Sequence, residues 1–279
     1  MNTCPHCQSM KHQQSSWFSL LLTILVLGTP AAARSGPATL DAKSDTAVSK
    51  YEYPTNLTAE IYALGSKNLL FRFTRSATHS GATLSVQRDF VYPDGKLADS
   101  EHVTYQGDQL LRYDLKELQL GAVGSARIRR SPTDPAKGSI EFEYRAGPDS
   151  RLKTSTEALA PDTLVGDMIA PFLISHWQAL QRGEKVKCRY IVVPRLETVG
   201  FTFVKDAKRP PNRANGTVIK MEPTSRIIAA LVDPLFFTIE TASPHNLLDC
   251  TGRTTPKLQV KGKWKDLDAF TVFESHTAR

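Results

Sequence analysis

From Leu57 onward, apolar side chains recur at every second position, the period of a strand with one buried face. Leu57, Ala59, Ile61 and Ala63 form one such face, followed by Leu69, Phe71 and Phe73 and then by Leu84, Val86, Phe90 and Tyr92. Pro93-Asp94-Gly95 and Gly107-Asp108 are turn sequences, because proline presets the first corner and glycine accepts a positive φ. Leu97–Tyr105 and Gln109–Leu115 are therefore predicted to run back and forth as antiparallel strands. Ala126 with Ile128, and then Ile140, Phe142 and Tyr144, continue the series. Short loops between alternating runs predict a meander rather than parallel βαβ units.

The period changes between Asp162 and Val204. Ile169, Phe172, Leu173, Trp177 and Leu180 are spaced by three and four residues, which places them on one face of a helix over Pro171–Arg182. Pro171 suits its first turn and Gly183 its left-handed end. Val186, Cys188, Tyr190 and Val192, then Val199, Phe201 and Phe203, return to strand alternation. Lys205–Gly216 is basic, contains two prolines and lacks periodicity, so an exposed loop is predicted. Thr217–Met221, Leu235–Glu240, Asn246–Thr251 and Ala269–Phe273 are predicted strands, and Ser225–Val232 a short helix closed by Asp233-Pro234. The fold class expected is mainly β: one large curved antiparallel sheet, or an incomplete β-barrel, with one or two packed helices. It forms a single domain over residues 51–279, and Arg34–Lys50 is a flexible lead-in.

The apolar run Trp17–Gly28 is too short to anchor a folded protein across a bilayer, and Ala31-Ala32-Ala33 supplies small residues where a signal peptidase needs them. Residues 1–33 are thus predicted to be a cleaved secretory signal, with no transmembrane span afterwards and a periplasmic location. Cys4-Pro5-His6-Cys7 has the spacing of a thiol oxidoreductase motif, but no strand precedes it. It would leave with the signal, or be absent altogether if translation starts at Met10. The chain carries a net charge of +7, and loss of residues 1–33 removes one lysine and no acid, leaving +6. That excess suits anionic surfaces, yet no nucleic-acid motif accompanies it. Cys188 and Cys250 are the cysteines left after export. A disulfide between them is predicted, worth about 4 kcal/mol in the chain-entropy model.

Catalytic and metal chemistry leave little trace. There is no G-x-S-x-G and no S-x-x-K, and His176 beside Trp177 reads as a packed or capping residue. His79, His102, His176, His245 and His276 are scattered without metal-ligand spacing, so neither metal nor cofactor is expected. Asp266 and Asp268 precede an apolar strand instead of ending one and read as a strand-entry turn. Asn56-Leu57-Thr58 and Asn215-Gly216-Thr217 fit the glycosylation triplet, which matters only in a source that glycosylates exported proteins. Arg88 departs from pattern, because its neighbours on the same strand face are all apolar. A guanidinium there needs a carboxylate, a ligand anion or water.

With the stretches GDMIAPFLISHWQALQRGEKVKCRYIVVPRLETVGF, IIAALVDPLFFTI, CTGRTTPK and KWKDLDAFTVFES in view, the chain resembles, from about Tyr51 to Ser275, a family of exported Gram-negative bacterial proteins grouped as a domain of unknown function. The resemblance brings no catalytic residues with it. At the level of fold, a curved antiparallel sheet with helices on its concave side is similar to the periplasmic lipoprotein carriers, and fold alone does not establish function.

The function expected is that of a non-enzymatic periplasmic binder of a hydrophobic or amphiphilic, lipid-like ligand. Trp177, Tyr190, Phe201, Phe203 and Phe236 would lie along its apolar part and Arg88 would meet an anionic group. The alternatives are a cell-envelope structural or assembly protein that binds another protein, and a hydrolase whose site has an unfamiliar form.

Overall fold

A computed structural model describes residues 49–134, 137–230 and 232–274. The signal segment 1–33, with Cys4 and Cys7, and nearly all of the lead-in 34–50 lie outside the described residues. Fifteen strands make one sheet. Eight come first: β1 (Asn56–Ala63), β2 (Leu69–Ser80), β3 (Thr83–Val91), β4 (Leu97–Gln106), β5 (Gln109–Glu117), β6 (Ala122–Arg130), β7 (Gly138–Arg145) and β8 (Lys153–Ala158). After β9 (Thr163–Leu164) come a 3₁₀ turn over Gly166–Met168 and two short helices, α1 (Ile169–Ser175) and α2 (Trp177–Gln181). β10 (Val186–Val192), β11 (Glu197–Lys205), β12 (Gly216–Pro223), the single-turn α3 (Arg226–Ala229), β13 (Leu235–Glu240), β14 (Leu247–Val260) and β15 (Lys263–Phe273) complete the chain.

Strands adjacent in sequence pair antiparallel from β1 to β8 and from β10 to β15, the two-residue β9 runs parallel to β10, and β15 joins the halves by pairing with β1. β8 and β9 follow each other in sequence but do not pair, and they stand at opposite edges of the sheet. Laid flat, fifteen strands at about 4.8 Å would separate those edges by roughly 65 Å. The link between them, Leu159–Asp162, can reach at most about 18 Å, so the sheet must curl on itself. The edges are not joined by a ladder. Glu157 of β8 instead accepts from the Thr198 N–H and hydroxyl of β11, each at 2.9 Å. Gly124 of β6 makes the approach possible, since a Cβ there would stand 2.4 Å from Cγ1 of Val193 in the turn between β10 and β11. The architecture is the curved, incompletely closed antiparallel barrel that the alternation predicts.

The helical segment turns inward. One continuous helix over Pro171–Arg182 was the expectation, but the backbone breaks at His176 (φ −106°, ψ 14°) into α1 and α2. The ring of His176 closes the break, with Nδ1 2.9 Å from the Phe172 carbonyl. Gly183 ends α2 with φ +79°. Phe172, Leu173, Trp177 and Leu180 are buried, as a period near 3.6 requires. Phe172 meets Phe203, and Phe203 meets Phe237.

The interior is divided. One core cluster joins β3–β7 to α1, α2 and β10–β13. A smaller one, with Ile61, Phe71, Phe73, Phe90 and Leu267, belongs to β1–β4 and β15. Cys188 and Cys250 are free thiols, which corrects the expected disulfide. Their strands, β10 and β14, are separated in the sheet by β11, β12 and β13. A bridge needs Cα atoms within about 7 Å, and four strand spacings along the sheet carry them well beyond that.

Candidate functional site

Where the two core clusters face each other they do not meet. A cavity of about 170 Å³ lies between them, walled by Ile61, Phe73, Phe90 and Phe273 on one side and by Ile169, Leu235, Phe237 and Tyr190 on the other. Part of this wall is one cross-strand row, because Ile61 pairs with Thr271, Thr271 with Cys250 and Cys250 with Phe237. A second cavity of about 340 Å³ adjoins it and is bounded by Ile174, Ser175 and the Pro244–Asn246 turn. The two share Tyr53, Pro54, Leu57, Ala170, Pro171 and Leu247, so α1 forms a common wall. Burial raises the Cys250 thiol to about 12, with Asp249 adding to it.

Charged groups reach this space from a second row. Leu57, Arg75, Arg88 and Glu101 are successive cross-strand partners on β1 to β4. Two guanidinium groups directly opposite each other repel, and in an apolar interior each needs its own counter-charge. Arg75 has Asp167, brought in by the 3₁₀ turn ahead of α1: Nε donates to Oδ1 at 2.6 Å and Nη2 to Oδ2 at 3.2 Å. Tyr105 donates to the same carboxylate at 2.9 Å. The other donors of Arg75 take the carbonyls of Tyr51 and Pro54. Arg88 is paired to Glu101 and lies over the Phe73 ring, 5.2 Å from its centroid. Burial alone would lower its pKa, but Glu101 and Asp167 more than offset this and hold it charged. Glu101 accepts also from Thr255 of β14 at 2.6 Å and from Tyr113, so β4 is tied to β14 across the interior.

Of the residues singled out from the sequence, Arg88 and Tyr190 line the cavity. Arg88 is already neutralised, which removes it as the receptor for a ligand's anionic group. Trp177, Phe201 and Phe203 belong to the packed core around the cavity rather than to its surface; Trp177 meets His245 in a tilted pair with ring centroids 4.4 Å apart, and Phe201 and Tyr190 pack edge to face. Phe236 is misplaced by the expectation. Successive strand residues point to opposite faces, so Phe237 faces the cavity while Phe236 is covered by Arg209, 4.0 Å from the ring centroid. The Lys205–Gly216 segment is accordingly docked rather than free, and Asn212 bonds Asp249 at 3.0 Å. The expectation missed the roles of Arg75, Asp167 and Glu101 at this site, and for Arg75 and Glu101 a signal existed. Arg75 continues the Leu69, Phe71, Phe73 face, and Glu101 precedes Val103 and Tyr105 on theirs.

The outer face of the sheet carries one arrangement of catalytic appearance. Ser85 Oγ lies 2.6 Å from Nε2 of His102, whose Nδ1 is 4.0 Å from Asp114. Asp114 is held by Arg112 through bonds of 2.6 and 2.8 Å, which competes for the role of orienting the ring. The three stand in the middle of paired strands, where backbone N–H groups are consumed by the ladder and none remains to stabilise an oxyanion. Among the described residues no group of three or more His, Cys, Asp or Glu side chains is placed to hold a metal ion. No described helix is long and apolar enough to cross a membrane, which says nothing of strands.

No protein-family model matches the chain, and no curated protein matches it. Among solved structures it is similar to the crystal structure of a beta-barrel-like protein of the domain of unknown function DUF1849 from Brucella abortus. That likeness covers 80% of this chain and 99% of that one at 9% identity, with a TM-score of 0.37. At that score and identity it carries neither a family nor a function to this chain.

Proposed function

We propose that the chain is a non-enzymatic binding protein of the periplasm that holds a hydrophobic or amphiphilic small molecule in the space between α1 and the curved sheet. The observation that supports this is the gap between the two core clusters. Protein interiors close-pack to near crystal density, and here two apolar walls face each other across a void that adjoins a second one. Such concave, mostly apolar pockets with a few fixed polar groups are the usual form of small-molecule sites. Because Arg75, Arg88, Glu101 and Asp167 satisfy one another, a ligand needs to supply no charge, so recognition rests on apolar contact. A neutral or zwitterionic amphiphile fits better than one selected for its anionic head.

The test is titration with an environment-sensitive apolar dye, followed by displacement with amphiphiles of equal chain length and different heads. Saturable dye binding and displacement governed by chain length, not head charge, are expected. Cys250→Phe, which fills the wall without adding charge, should weaken binding at least tenfold and leave the fold intact. Unchanged binding by that variant, or the absence of saturable binding, would remove the cavity reading.

A further inference from the structure

An antiparallel meander places alternate turns at opposite ends, so each turn can be assigned to an end from the strand order alone. The turns β1–β2, β3–β4, β5–β6, β7–β8, β10–β11, β12–β13 and β14–β15 share one end, because β15 runs antiparallel to β1 with Ala269 opposite Ala63. Large apolar side chains exposed to solvent gather there. Leu64 is in the β1–β2 turn, Leu97 begins β4, Leu118 is in the β5–β6 turn and Leu152 ends the β7–β8 turn. Ile227 of α3 is 77% exposed, and Leu258 and Trp264 stand on the β14–β15 hairpin. At the other end, among the described residues, Tyr53 is the single counterpart. Scattered exposed leucines need no explanation, whereas their collection on one rim does.

The charge on that rim is equally uneven. β13 follows β14 only to Thr251, and β1 follows β15 only to Ala269. The hairpin therefore continues as a free two-stranded ribbon whose last pairs are Lys257 with Asp266, Leu258 with Lys265, Gln259 with Trp264 and Val260 with Lys263. It carries Lys257, Lys261, Lys263 and Lys265 against Asp266. Asp266 is already shared by Lys257 and Arg253. Lys261, Lys263 and Lys265 are exposed and have no ion-pair partner among the described residues. Gln119 of the β5–β6 turn fixes the base of the ribbon, bonding the Lys257 carbonyl at 3.0 Å, the Lys257 N–H at 2.7 Å and the Tyr92 hydroxyl at 2.7 Å. Leu97 and Leu118 are thus held beside the ribbon by a rigid connection.

We propose that this end of the barrel docks on an anionic lipid bilayer, with the exposed leucines and Ile227 entering the interface and the β14–β15 ribbon placing Trp264 and its three unpaired lysines at the headgroups. Tryptophan, with an apolar ring and one N–H, and lysines on long apolar stems are the side chains that settle at such a boundary. Each lysine near an anionic surface adds favourable energy that salt screens. The opposite end is basic too, through Lys208, Arg209 and Arg213, but it lacks the apolar rim and Arg209 is spent on Phe236. This inference does not depend on the cavity being occupied.

Sedimentation of the full chain with vesicles of phosphatidylethanolamine and phosphatidylglycerol tests it, against phosphatidylcholine vesicles. Binding to the anionic vesicles that falls with added salt is expected. The triple variant Lys261→Gln, Lys263→Gln, Lys265→Gln should partition about a hundredfold more weakly, with its melting midpoint unchanged. A blue shift of tryptophan emission on adding vesicles should be smaller in Trp264→Phe than in the wild-type chain, both of which carry Trp17 and Trp177. Since the N-terminal apolar run is common to all these chains, equal partitioning of wild type and triple variant would overturn the proposal. So would equal binding to both vesicle types, or binding to a soluble anionic polysaccharide without binding to vesicles.

Discussion

Two carboxylates on β4, two residues apart on the same inward face, are treated in opposite ways. Glu101 beside the cavity takes Arg88, Thr255 and Tyr113. Asp99 is 1% exposed, and neither of its oxygens has a hydrogen-bond partner of ordinary geometry. It stands directly across from Glu117, which is itself bonded by Tyr144 at 2.7 Å. Burial, then Glu117 and Glu101, push Asp99 up to about 8, and Lys257 only partly offsets them. Polar groups that face the empty space are completed by the protein, whereas the incomplete one is sealed in packed core. A site whose walls are already satisfied can accept an apolar guest without leaving a charge unpaired, and this is why the cavity suits chain more than head.

The contrast can be broken most sharply at Asp167, the counter-charge carried by the turn ahead of α1. Asp167→Ala strands Arg75 in the interior and should cost roughly 3–5 kcal/mol in denaturant unfolding. A loss below about 1 kcal/mol would mean that the pair is solvated and the wall not dry.

Asp99 gives the next effect, and its sign is opposite to that of a salt-bridged acid. Its folded pKa lies above the unfolded value near 3.9, so the native state binds the extra proton and stability declines as pH rises from about 4 to about 8. Between pH 5 and pH 8 the protein should lose on the order of 1–3 kcal/mol to this group. Asp99→Asn should flatten that slope in urea melts at the two pH values. A wild-type protein more stable at pH 8 than at pH 5, with the slope unchanged in Asp99→Asn, would show that Asp99 ionises freely. The smallest effect belongs to Thr255→Val, which removes one of several donors from Glu101 and should cost about 1 kcal/mol. A cost above about 3 kcal/mol would mean that the tie between β4 and β14, not Arg88, is what holds Glu101.

How much of this could be read beforehand follows the same physics. Strands with one mainly apolar face, such as β2, β3 and β10, announce themselves by their period, and so does the burial of Phe172, Leu173 and Trp177. The polar edge strand Lys153–Ala158 has no such face, and Thr163–Leu164 is too short to show a period. The far ends of β14 and β15 are exposed on both sides, so nothing in their alternation marks a strand. The break at His176 is a side-chain bond to the Phe172 carbonyl, which helix spacing does not encode. At the site, Arg88 stood out as a lone charge on an apolar face. Its partner did not, because Glu101 lies on the next strand, and Asp167 reaches Arg75 only after the sheet has curled round the helical segment.

Whether the space between α1 and the sheet holds an apolar guest can be read from native mass spectrometry of the protein taken from its own cells. An added mass of lipid size is expected on the wild-type chain and absent from Cys250→Phe prepared in the same way. Bare protein from both preparations, or the same adduct on both, would contradict it.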